Sequence, residues 1–146
     1  MPTWATITIF AVIVGSDLMV FAAIRSIIFQ MFRKWQEKYP PVEPMPGAVT
    51  RRFQSFSFGL INAGMSMHVT ADESYLHLNP VRFVRWFGMM PLSIPWDAFG
   101  RVTKRGRMYT RVMLDTTTVV GPTWCMSLLD ADVGDGADAE LTKPAQ

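Results

Sequence analysis

Cysteine is nearly missing from this chain: Cys125 is the single copy, so neither an internal disulfide nor a four-cysteine zinc site can form. Histidine is almost as scarce. A metal centre on His68 and His77 would have to recruit carboxylates from elsewhere, and no metal ligand set emerges. No Lys or Arg precedes Arg25, and there is no small-x-small cleavage signature, which argues against a removable secretory leader. The sequence also lacks a glycine-rich phosphate loop, a Gly-x-Ser-x-Gly and a His-Glu-x-x-His. Cys125 with His68 or His77 remains as a nucleophile pair, but nothing near it in sequence lowers a thiol pKa. The chain reads as non-catalytic and free of cofactors.

What it has in abundance is apolar residues at the start. Of the 29 residues from 4 to 32, 21 are apolar. As a helix, residues 5–24 span roughly 30 Å, the thickness of a bilayer's hydrocarbon core. Arg25, Arg33, Lys34, Lys38, Arg51 and Arg52 all follow this run. By the positive-inside rule the expected placement is single-pass in the cell inner membrane, amino terminus outside and the remainder cytoplasmic. Asp17 lies inside the run, where a carboxyl costs a few kcal/mol on insertion scales. It is either a tolerated, protonated group or an intramembrane polar contact with another helix. Phe32, Trp35 and Tyr39 recur at helical spacing and predict an interfacial continuation to residue 38. Pro40, Pro41, Pro44 and Pro46 then predict an extended spacer over residues 39–47 that sets the domain's distance from the bilayer.

Residues 48–129 alternate with the period of strands and form the one small β-rich domain that the length allows. Residues 52–60 predict a first strand, with Phe56 and Phe58 on one face, and residues 61–64 a turn. Residues 66–79 predict a hairpin closed on Asp72 and Glu73. That register sets Met67 against Leu78 and Val69 against Leu76 on the apolar face. On the polar face it sets His68 against His77 and Thr70 against Tyr75, a pairing assigned to surface or cross-strand packing. Residues 80–91 interleave Arg82 and Arg85 with Phe83, Trp86, Phe87 and Met89. They are open to three readings: a core strand, a loop dipping into lipid headgroups, or a protein-binding patch. Pro95 confines the next strand to an edge or a bulge. A second hairpin turns at Arg105 and Gly106, residues 116–121 form a last strand, and Pro122 opens a possible short helix. Residues 130–146 predict an acidic, disordered tail.

The apolar run at 69–78, the segment Pro91-Leu92-Ser93-Ile94-Pro95-Trp96-Asp97-Ala98-Phe99 and the alternating strand at 108–114 resemble, in this order, bacterial pleckstrin-homology-like and GRAM-like domains. The likeness covers about 50 residues and implies a PH-like roll or partial barrel that binds or scaffolds, with no catalytic residue to transfer. The chain departs from the family by counting one or two strands short of the seven-stranded barrel.

Charge divides the chain: residues 25–111 hold 13 of the 14 Lys and Arg, and residues 130–140 hold five of the 12 acids. Arg101, Lys104, Arg105, Arg107 and Arg111 crowd the second hairpin. Under an anionic leaflet these residues, with Arg82, Arg85, Trp86 and Phe87, are candidates for contact with lipid headgroups or a membrane partner. Lipid explains the charge with fewer assumptions than nucleic acid. The sequence thus predicts a membrane-anchored α+β protein that binds lipid or a partner without chemistry. The alternative is an accessory or assembly subunit of a larger membrane complex, or a homo-oligomer, held through Asp17.

Overall fold

In the computed structural model, residues 2–130 are described; the tail predicted at 130–146 lies almost wholly outside them. Helix α1 (Thr3–Lys38) carries no proline. It ends where the Tyr39 N–H still bonds to the Trp35 carbonyl and Pro40 and Pro41 block further turns. At about 1.5 Å per residue it is roughly 54 Å long, far more than a bilayer core requires. The surplus is used in the domain. Ile28, Phe32, Trp35 and Tyr39, spaced four, three and four apart, are buried in its core. Phe32 and Trp35 both meet Phe58 edge-on, with ring centroids 5.4 Å apart in each case. The aromatic face read as an interfacial extension is therefore a packing face, because the sheet offers it a deeper apolar partner than a headgroup layer does.

The strands are β1 (Val49–Phe58), β2 (Ile61–Ala71), β3 (Tyr75–Pro80), β4 (Leu92–Pro95), β5 (Phe99–Arg105), β6 (Tyr109–Leu114) and β7 (Thr117–Pro122). They form one antiparallel sheet in the order β4-β3-β2-β1-β7-β6-β5. The sheet has seven strands, one or two more than the strand count read from the sequence. Among the described residues β4 and β5 are left as edges, so the sheet is a half-barrel. Pro95 sits on the edge strand β4, as its missing N–H requires. Short helix α3 (Thr123–Met126) follows Pro122 and adds Cys125 and Met126 to the core.

Three turns differ from the sequence reading. The β5–β6 hairpin reverses at Arg107 and Met108, two residues past the predicted Arg105 and Gly106, with Arg105 still on β5. The β1–β2 turn falls at Gly59 and Leu60, not at 61–64, with Gly59 at φ +61°. The β2–β3 loop is Glu73 and Ser74, one residue later than predicted. Its cause is Asp72, whose Oδ1 accepts the N–H groups of Ser74 (2.8 Å) and Tyr75 (2.6 Å) in an Asx turn. Pairing moves by two residues: Val69 faces Leu78, Thr70 faces His77 and His68 faces Asn79. An even shift keeps every side chain on its face, so the apolar assignment survives while the facing histidines do not.

The proline-rich segment is a strap, not a free spacer. The Tyr39 carbonyl accepts the Ser93 N–H, the Val42 N–H donates to Ser93 Oγ (2.8 Å), and the Met45 N–H donates to Asp72 Oδ2 (3.1 Å). These bonds tie residues 39–45 to β4 and to the β2–β3 loop.

Candidate functional site

Residues 80–91 form neither a core strand nor an open loop. Between β3 and β4 they fold into helix α2 (Arg82–Trp86), which rests on α1. Trp86 and Phe87 both contact Phe21, at 5.8 and 5.3 Å, and Phe83 packs edge-on against Phe87. Arg25 fixes the height of this collar: its Nε donates to the Trp86 carbonyl (3.2 Å) and its guanidinium lies 5.9 Å from the Trp86 ring centre. Gly88, at φ +98°, passes so close that a Cβ there would sit 2.9 Å from Phe29 Cβ and 3.0 Å from its Cα. Only glycine suits both the backbone angle and the approach. The outer side of α2 is open, with Phe83 68% and Trp86 58% exposed beside an exposed Arg82. Phe21 and Arg25 place α2 beside the first basic residue of α1.

The candidate residues divide into separate groups. Arg82, Arg85, Trp86 and Phe87 come together at α2. Arg85 is held by the Pro80 carbonyl and Asn79 Oδ1, Phe87 is half-buried between Phe21 and Phe83, and Arg82 is the outward cation. Arg101, Lys104 and Arg105 lie on β5, Arg107 in the following turn and Arg111 on β6, all exposed. Past the end of β6, Asp115 in the β6–β7 turn meets Lys38 and Tyr39 at the end of α1. Six residues of β6, about 20 Å, separate Asp115 from the Arg107 turn, so Arg107 lies at the far end of the hairpin from that contact. Asp17 is exposed one turn before Phe21, with no side-chain partner among the described residues.

A second polar constellation was not legible in the sequence. Asp72, His77 and Ser93 are buried (7, 6 and 3% exposed) and linked, His77 Nε2 to Asp72 Oδ2 at 2.9 Å and His77 Nδ1 to Ser93 Oγ at 2.8 Å. His77, read from the sequence as surface or cross-strand packing opposite His68, is thus buried and faces Thr70. A carboxylate only accepts, so Nε2–H donates to Asp72 Oδ2, while Nδ1 and the Ser93 hydroxyl share the second bond. The residue types match a nucleophilic triad; the geometry does not serve one. The ring nitrogens are reversed relative to the serine-protease arrangement, and Ser93 Oγ is covered by the Val42 N–H. What the three do is clasp the strap to the sheet. Burial on its own would raise the Asp72 pKa, but bonds from His77 and from the Met45, Tyr75 and Ser74 N–H groups outweigh it and hold the carboxyl at about 2. At Cys125, burial pushes the thiol up to about 12, the opposite of an activated nucleophile.

No protein-family model matches the chain, and the searches of curated proteins and of solved structures returned no match either.

Proposed function

We propose that this is a single-pass protein of the inner membrane, amino terminus outside, whose PH-like cytoplasmic domain is clamped against the bilayer and binds anionic lipid headgroups through α2. One observation carries the reading: the exposed face of Phe83, Trp86 and Arg82 is bolted to α1 at the residues where the apolar span ends. Trp and Phe at that height favour the headgroup boundary, and each basic group there contributes about 1 kcal/mol toward an anionic surface. The basic hairpin is not required for this contact.

The test is the lipid that full-length protein retains when purified from membranes in mild detergent. Anionic lipid is expected to be enriched over its share of the source membrane. The double variant Arg82→Gln, Trp86→Ala is expected to lose most of that enrichment, on the order of fivefold per cation removed. Retained lipid that mirrors the bulk in both proteins would sink the proposal. The partnerless Asp17 supports a second reading, an assembly subunit. Stoichiometric co-purification of another membrane protein, abolished by Asp17→Leu, would favour it.

A further inference from the structure

The outer face of the sheet carries a trough that neither the membrane reading nor the polar clasp uses. Strands β1 and β7 pair only at Ser57 with Val120 and Phe58 with Val119. Toward its start β1 breaks register with β2 twice, between Arg51 and Gln54 and between Gln54 and Phe56. A cavity of about 450 Å³ opens there, lined by Arg51, Phe53, Met65, Arg107 and Trp124 among others. It shares Ser55 and Tyr109 with a second cavity of about 290 Å³ over Ser57, Asn62, Gly64 and Val120. Together they run beside β1 from Arg51 to Ser57, about 20 Å, the length of five or six extended residues.

This trough is built with care. Trp124 Nε1 donates to Gln54 Oε1 (3.0 Å), which fixes the indole, and the Arg51 guanidinium lies 4.7 Å over that ring. Stacking leaves the guanidinium edge free to meet an oxyanion in two parallel bonds. Arg107 is brought to the same end because Thr123 Oγ1 donates to the Gly106 carbonyl and the Thr123 N–H to the Met108 carbonyl. Among the described residues, no acid lines either cavity. Phe53 and Met65 hold left-handed backbones, φ +53° and +51°, which side chains of this size rarely adopt. Both are more than half exposed and both line the trough, with Phe53 packed edge-on against His68. Strain kept at exposed residues of a cavity marks a place shaped for contact.

We infer that the trough is a docking site for an extended peptide segment of a partner protein, five or six residues long, with an acidic side chain at the Arg51 and Arg107 end. The cations occupy one end only. The remainder is a floor of small polar residues walled by Met65 and Tyr109, which suits a chain laid lengthwise better than a compact phosphate.

The test uses full-length protein in nanodiscs of zwitterionic lipid and a mixture of blocked hexapeptides, glutamate fixed at one end and Val, Leu, Tyr and Ser varied elsewhere. Matched mixtures carry glutamine in place of glutamate. Indole resonances report binding, with Trp124 assigned by Trp124→Phe. The glutamate mixture is expected to shift the Trp124 signal, with the glutamine mixture about tenfold weaker. Arg51→Gln and Arg107→Gln are each expected to weaken the glutamate mixture about tenfold at unchanged melting temperature. Phe53→Gly, which relieves the strained backbone, is expected to raise the melting temperature and weaken binding. Equal response to both mixtures, indifference to both arginine variants, or saturation by inorganic phosphate alone with no response to peptide would each overturn the inference.

Discussion

Phe32→Ala is expected to destabilise the β domain by about 3 to 5 kcal/mol, although the residue belongs to the helix that carries the apolar span. Its side chain is fully buried, stacked edge-on with Trp35 (5.6 Å) and Phe58 (5.4 Å), and the sheet has no spare residue to refill the space. Ile24→Ala, on the same helix but half exposed, is expected to leave domain stability within about 0.5 kcal/mol. Urea unfolding of the full chain in mild detergent, followed by tryptophan emission, measures both. Equal small effects would mean that α1 is only an anchor. By the same reasoning, a fragment beginning at Ala48 is expected not to fold, since it lacks Ile28, Phe32, Trp35 and Tyr39 of the core.

Asp72→Ala is expected to cost about 3 kcal/mol at neutral pH, because it strands a buried imidazole and the N–H groups of Met45, Ser74 and Tyr75 together. The acid limb follows from the same bonds. The folded carboxyl sits at about 2 and the ordinary value is 3.8, so its contribution is fully present above pH 4. It is lost as pH falls through 3.8 toward 2, a change of roughly 2 kcal/mol. Urea midpoints at pH 7 and pH 2.5 check this: wild type is expected to lose that increment and Asp72→Asn to lack it. Identical acid sensitivity in both would show that the clasp is not the group responsible. Ser93→Ala is expected to weaken the strap less, since it removes the bonds to the Val42 N–H and to His77 Nδ1 but leaves the Asp72 carboxylate and its bonds in place.

Periodicity revealed the strands well because a half-barrel packed on one face writes its burial directly into alternation: Phe56 and Phe58 inward, Ser55 and Ser57 outward. It placed the Asp72 loop one residue early because a side-chain Asx turn, invisible to alternation, decides where the chain reverses. The aromatic spacing of Phe32, Trp35 and Tyr39 was legible, but its partner was not. A stripe that fits a membrane interface equally fits a sheet, and only the long-range contact with Phe58 separates them. Residues 80–91 were open among three readings for a related reason: the partner that folds them, Phe21 and Arg25, lies some sixty residues away. The Asp72, His77 and Ser93 cluster draws on the β2–β3 loop, β3 and β4, and the Arg51, Trp124 and Arg107 trough on β1, α3 and the β5–β6 turn, and no local spacing announces either.

The proposed seating of α2 at the bilayer boundary is tested most directly by depth. Single nitroxide labels at positions 13, 83 and 73 of the full chain, in nanodiscs containing anionic lipid, report relative access to oxygen and to an aqueous nickel chelate. Cys125 need not be removed, since it is fully buried and its thiol is held protonated. Position 13 is expected near the bilayer centre, position 83 at the boundary between headgroups and acyl chains, and position 73 in water. A label at 83 as open to the nickel chelate as the one at 73 would contradict the collar, and with it the seating of this domain on the membrane.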